Sequence, residues 1–193
     1  MTSVAVYHNS VPSRNNPEKI GILQNFAAGV SALSDSCINV TGYHPIESDV
    51  AVIQGWVTGS AEHMHTKLRK QVIDQQLSKN RYVIAADSNL FLYVDKQNPF
   101  HYLRYSINGI FPNTGVYCDD MPDPDRWRKI KKKMKIAVKD YRNNGNHILL
   151  CLQRNGGWSM NNQDVQDWVI DTMRQIRAVT SRPIVIRPHP GDR

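Results

Sequence analysis

Short apolar runs alternate with amphipathic stretches along most of the chain, the pattern of strands that pack beneath helices. Val4-Ala5-Val6-Tyr7 is a first apolar strand, with His8-Asn9-Ser10 at its carboxyl end. Asn16-Pro17-Glu18 offers a cap, a proline at the first helical position and an acid in the first turn, so a helix is expected from there to about Ser34-Asp35. Leu23, Phe26, Ala27, Val30 and Leu33 recur at helical spacing as its inner face. Cys37–Val40 is a second strand, Gly42–Ser48 a turn-rich link, and Asp49–Trp56 the clearest strand of the first half. Ser60 can cap a helix from Ala61 to about Lys79, with Met64, Leu68, Val72, Ile73 and Leu77 inward. Arg81–Ala86 is the next strand, followed by Asp87-Ser88-Asn89. The order β-α-β-β-α-β predicts a mainly parallel sheet covered by helices.

Leu90–Asp120 is aromatic and rich in turn dipeptides such as Asn108-Gly109, which predicts short strands and loops. A domain boundary is expected at Asp119–Asp123, giving units 1–122 and 123–193. Asp123-Pro124 opens a further helix by the same cap-plus-proline logic. Trp127, Ile130, Met134, Ala137, Val138 and Tyr141 form its apolar stripe, and Asn143-Asn144-Gly145 ends it. His147–Leu152 is a continuous apolar run, expected as a strand buried on both faces with Cys151 an enclosed thiol. A loop, Gln153–Ser159, leads to a helix from about Asn162 to Val179, with Val165, Trp168, Val169, Ile176 and Val179 inward. Pro183–Ile186 is the last strand, and it breaks at once into Arg187-Pro188-His189-Pro190-Gly191-Asp192-Arg193. The fold class expected is therefore α/β, with two Rossmann-like parallel-sheet halves, the second incomplete.

Charge adds one feature to this outline. The chain has 193 residues and net charge +7. Residues 126–142 hold nine Lys/Arg against one acid, a net +8, so the rest of the chain sums to −1. The basicity is one patch, with Arg128, Lys131, Lys132, Lys133 and Lys135 at its centre. Such a patch suits a polyanion: nucleic acid, a nucleotide-linked substrate or an anionic surface. The plain alternative is a solvated helix face. The three cysteines, Cys37, Cys118 and Cys151, lie far apart with no zinc spacing, so no metal site is expected and a reducing compartment fits. The amino terminus shows neither a basic leader nor a long apolar run, which makes the cytoplasm the expected location (the host cytoplasm, if phage-encoded) and a transmembrane span unexpected.

Two loops carry the strongest chemical signal. Gln153-Arg154-Asn155-Gly156-Gly157 and Arg187-Pro188-His189-Pro190 each follow a strand, and one helix links those strands. A β-α-β crossover brings both loops to one carboxyl edge, where open α/β sheets bind ligands. The glycines could turn backbone N–H groups toward a phosphate, with Arg154, Arg187, His189 and Arg193 adding charge and donors. In the first half, Gln54-Gly55-Trp56 ends a strand near His63 and His65. Histidines at i, i+2 of a helix diverge and chelate poorly. His63, or His8 at the end of the first strand, is instead a candidate general base.

The Arg-Pro-His-Pro strand end at 187–190, with the Gln153–Gly157 loop upstream, resembles the donor-binding half of GT-B-fold glycosyltransferases, including capsule-type, lipopolysaccharide-type and phage transferases. The motif content covers about residues 123–193, and the first half is similar in architecture only. The resemblance implies transfer of a sugar from a nucleotide-sugar donor, with the acceptor (a phage DNA base or a polysaccharide) on the amino-terminal half. It implies no bound metal or other cofactor, because helix dipoles and basic side chains stabilise the leaving diphosphate. Such donor domains continue well past this motif, so a fragment or a reduced relative is expected. Two other readings compete: a non-enzymatic nucleic-acid-binding protein acting through residues 126–142, and a sugar-nucleotide epimerase-like enzyme.

Overall fold

The computed structural model describes residues 1–12, 17–33, 35–88, 103–111, 114–117, 120–142, 144–157, 160 and 163–192. The cap at Asn16, the segment 89–102, Cys118 and Arg193 lie outside these residues. The chain divides into two compact units, Met1–Pro122 and Asp123–Arg193.

Unit 1 is an α/β layer structure. Strands β1 (Ser3–Tyr7), β2 (Ser36–Val40), β3 (Val50–Gln54), β4 (Tyr82–Ser88) and β5 (Leu103–Ile107) form one sheet in the order β2-β1-β3-β4-β5. The pairs β1–β2, β1–β3 and β3–β4 are parallel, and β5 runs antiparallel at the edge. Helix α1 (Pro17–Ala32) connects β1 to β2, and α2 (Met64–Ser78) connects β3 to β4. Strand side chains alternate between faces, and the two cores show it. Val4, Val6 and Val52 pack with Leu23 and Ala27 of α1. Ala5, Tyr7, Ala51, Ile53 and Val83 pack with Leu68, Val72 and Ile73 of α2. The sheet is thus wound on both faces, which is why its central strands are apolar throughout rather than alternating. The strand order reverses between β1 and β3.

Several expectations need correction here. Leu33, Met64 and Leu77 are exposed rather than inward. Leu33 lies beyond the end of α1. Helix α2 starts at Met64 rather than Ala61. Gly59, at φ +89°, holds the chain outside helical space. The Thr66 hydroxyl then closes the first turn onto His63, with Oγ1 3.1 Å from the His63 nitrogen and 2.8 Å from its carbonyl oxygen. The inner face of α2 includes Arg69 and Gln76, both buried.

Unit 2 contains α3 (Pro124–Lys133), β6 (Ile148–Cys151), α4 (Val165–Val179) and β7 (Ile184–Arg187). β6 and β7 pair in parallel, Ile148 opposite Ile184 and Cys151 opposite Arg187. The basic helix is shorter than expected. Lys135 takes a left-handed φ of 51°, the Ile136 N–H donates to Lys131 O at 3.0 Å, and the Lys135 N–H donates to Lys132 O at 3.3 Å. This is a Schellman ending, with lysine where glycine is usual. Continuing the helix would stack Lys131 on Lys135 and add like-charge repulsion. Among the stripe residues only Ile130 is buried, while Val138 and Tyr141 are exposed. β6 is not enclosed: Leu149 is 51% exposed and Cys151 is an exposed free thiol. On α4, capped by Asp164, Val165 is buried but Val179 is exposed. Among the described residues, no helix is long and apolar enough to cross a membrane.

Candidate functional site

In unit 2 the β6–α4 loop and the turn after β7 form one rim. The Asn155 N–H donates to Asp192 Oδ2 at 3.0 Å, and Arg154 Nε lies 4.0 Å from Asp192 Oδ1. Gly191 sits between the two key side chains: a Cβ there would stand 3.1 Å from His189 Nδ1 and 3.6 Å from Arg154 Cδ. The Gly191 N–H donates to His189 Nδ1 at 2.9 Å. Nδ1 is therefore an acceptor, and the neutral ring carries its proton on Nε2, as a donor. Arg187 is exposed and makes no ion pair among the described residues. Arg154, Asn155, Gly156 and Gly157 line a shallow cleft of about 400 Å³.

The glycine amides do not serve as first expected. The Gly156 N–H donates to Asn155 Oδ1 at 3.1 Å, and the Gly157 N–H donates to Arg154 O at 3.0 Å. The α4 amino terminus is also occupied. Asp164 accepts from the Gln166 and Asp167 N–H groups, and Asn155 Oδ1 accepts from Val165 N–H at 3.3 Å. The Gln166 N–H bond, then the Asn155 amide and the Asp167 N–H, hold the Asp164 carboxyl below its ordinary range. The anion-seeking groups of this rim are thus side chains: the guanidinium groups of Arg154, which also faces Asp192, and Arg187, and the Nε2–H of His189. Asp192 and Asp164, which organise the rim, were not singled out from sequence. Asp164 two residues after the expected Asn162 start was the available signal, as a rival cap.

In unit 1, His8 and His63 both follow strands at the carboxyl edge, but in different settings. His8 lies in a 3-10 turn, His8–Ser10, and is only 6% exposed. Its Nε2 is 2.8 Å from Asn39 Oδ1, and its Nδ1 is buried without a partner among the described residues. His63 is exposed, its ring stacked on His65 at 5.6 Å between centroids. Burial, then Arg69 and His63, lower the His65 pKa. Among the described residues no three His, Cys, Asp or Glu side chains converge as a metal site.

The residue that organises this edge is Arg69. It is 8% exposed, its Nε donates to Ser10 O at 2.8 Å and its Nη2 to Gln54 Oε1 at 2.7 Å. Ser10 in turn donates to Tyr7 O and accepts from the Gln54 N–H. Burial pushes the guanidinium pKa down to about 10, opposed by Asp87, which itself pairs with Arg104 at 2.8 Å. Gly55, at φ +74°, passes so close that a Cβ would lie 3.0 Å from Arg69 Nη1. Arg69 could have been found from sequence, since Arg69, Val72, Ile73 and Gln76 share one helical face.

Comparison with protein-family models, with curated proteins and with solved structures finds no match.

Proposed function

We propose that the chain is a glycosyltransferase-like protein whose unit 2 rim receives the diphosphate of a nucleotide sugar. The observation that carries this reading is the His189–Gly191 turn. It fixes the imidazole as an Nε2–H donor beside Arg154, at the carboxyl edge of two parallel strands. A diphosphate needs donors and positive charge, and Arg154, Arg187 and His189 supply both without a metal. In a transfer reaction those groups would stabilise the charge that develops on the leaving diphosphate. The two-half GT-B plan belongs to this same reading and rests on the Arg187–Pro190 motif. Thermal melting of the chain with UDP, GDP, CMP and UDP-glucose tests it. One nucleotide should raise the melting temperature by several degrees, and His189→Ala should remove that rise. No shift with any nucleotide counts against the reading.

A second reading has its own observation. Lys131, Lys132, Lys133 and Lys135 are all exposed at the carboxyl end of α3, where the helix dipole favours cations. Contact with a nucleic-acid backbone through this end would weaken steeply with salt. It would survive His189→Ala and disappear on reversing Lys131, Lys132 and Lys133 to Glu.

A further inference from the structure

We infer that the cleft beside α1 in unit 1, at the carboxyl ends of β1 and β2, binds an uncharged, hydroxyl-rich ligand of monosaccharide size. The cleft has a volume of about 490 Å³, within the range of small-molecule sites. It lies outside the carboxyl ends of β1 and β2, the edge at which open α/β sheets take ligands.

The lining chemistry selects the ligand class. Asn9, Gln24, Ser31, Asn39 and Thr41 face the cleft with His8, and among the described residues no Lys, Arg, Asp or Glu does. An anion would find no cation among the described lining residues, and a cation no acid. Amides and hydroxyls both donate and accept, which matches ligand hydroxyls that do the same. Ile20, Ala27 and Ala28 supply a small apolar wall, enough for one face of a saturated ring. Among the described lining residues there is no aromatic side chain to stack a flat base.

The polar groups are held rather than loose. The Asn9 amide donates to the Thr41 carbonyl, which ties the end of β1 to the end of β2. Asn39 Oδ1 is engaged with His8 Nε2, so the Asn39 NH₂ remains for an acceptor in the cleft. His8 Nδ1 is buried without a partner among the described residues, an orphaned group for which a bound ligand is one physical explanation. A preorganised polar rim binds with less ordering cost than flexible side chains would. The inference uses no residue of unit 2 and is independent of the nucleotide-sugar reading.

The test is an amide NMR titration of the full chain with glucose and N-acetylglucosamine, with glucose 6-phosphate as the charged control. Saturable shifts confined to residues 8–9, 24–31 and 39–41 are expected with a neutral sugar. The phosphorylated sugar should bind no more tightly. Ala28→Phe, at an exposed helical position, should obstruct the cleft and weaken binding about tenfold or more. Thr41→Val removes one hydroxyl at an exposed position and should weaken binding by a smaller factor, so that the result does not depend on one variant folding. Absence of saturable shifts with both neutral sugars, tighter binding of glucose 6-phosphate, or affinity unchanged in both variants would overturn the inference.

Discussion

Units 1 and 2 use the same grammar of apolar strand, polar loop and amphipathic helix, yet they bury it very differently. In unit 1, β1 and β3 have cover on both faces, and Ala5, Val6, Tyr7, Ala51, Val52 and Ile53 are fully buried. In unit 2, the equally apolar β6 and β7 pair only with each other, and Leu149, Val185 and Ile186 are 51%, 46% and 39% exposed. An apolar run specifies a strand, but burial requires layers on both sides of it, and in unit 1 α1 and α2 cover the two faces of the sheet. Each fully buried aliphatic side chain contributes about 1.5–3 kcal/mol, so stability concentrates in unit 1. The ligand chemistry divides the same way. Unit 1 offers a cleft lined by amides and hydroxyls and a buried arginine, whereas unit 2 offers exposed cationic side chains on a rim.

The largest contrast should come from paired truncations. Leu68→Ala, in the α2 core, is expected to cost about 2–5 kcal/mol in urea denaturation. Leu149→Ala, on the open strand, should cost less than about 1 kcal/mol. Equal costs would mean that β6 is enclosed as tightly as β3. Hydrogen exchange should agree, with β6 and β7 amides opening at lower free energy than those of β1 and β3.

A glycine pair sharpens the comparison at smaller scale. Gly55→Ala places a Cβ in left-handed backbone, 3.0 Å from the buried Arg69, and should destabilise unit 1 by about 1–2 kcal/mol. Gly191→Ala has no such backbone strain and meets a half-buried imidazole instead of a buried guanidinium. Its expected effect is a loss of nucleotide-induced stabilisation with little change in melting temperature. A large melting change in the second variant would show that the rim is a structural element of unit 2.

The smallest effect expected is an acid-side one shared by both units. Lys79 and then Arg81 lower the Glu47 pKa. The Ser3 N–H and then the Ser3 hydroxyl lower that of Asp49, and the cap bonds lower that of Asp164. Folded pKa values below the unfolded ones, about 4, mean stabilisation that is complete above that pH and lost as pH falls through the folded values. The melting temperature should decline below about pH 4 on this account, and Asp49→Asn should flatten the unit 1 part of the decline.

The α/β class was legible because β1, β3 and β4 are continuous apolar runs separated by capped or periodic segments, and those signals are local. The limits of α3 and α2 were not, because a lysine in left-handed backbone at 135 and a threonine closure at 66 overrode the periodicity. Exposure was least legible: Leu149 and Val179 look like core residues in any window, yet both are exposed, because burial depends on packing partners that a local window does not contain. At the candidate sites, His189 and Arg154 could be named from the motif, and the topology brings their loops together. The burial of Arg69 is legible from its helical face, but its partners, and those of Asn39 and Asp192, lie 15 to 59 positions away, beyond the reach of local spacing.

The most direct test of the nucleotide-sugar reading is hydrogen exchange of the full chain with and without the nucleotide that raises its melting temperature most, using UDP-glucose if several do so equally. The account predicts added protection at the backbone amides of residues 154–157, 189, 191 and 192, absent in His189→Ala. Protection confined to residues 126–136, or no change at the rim while unit 1 responds, would contradict it.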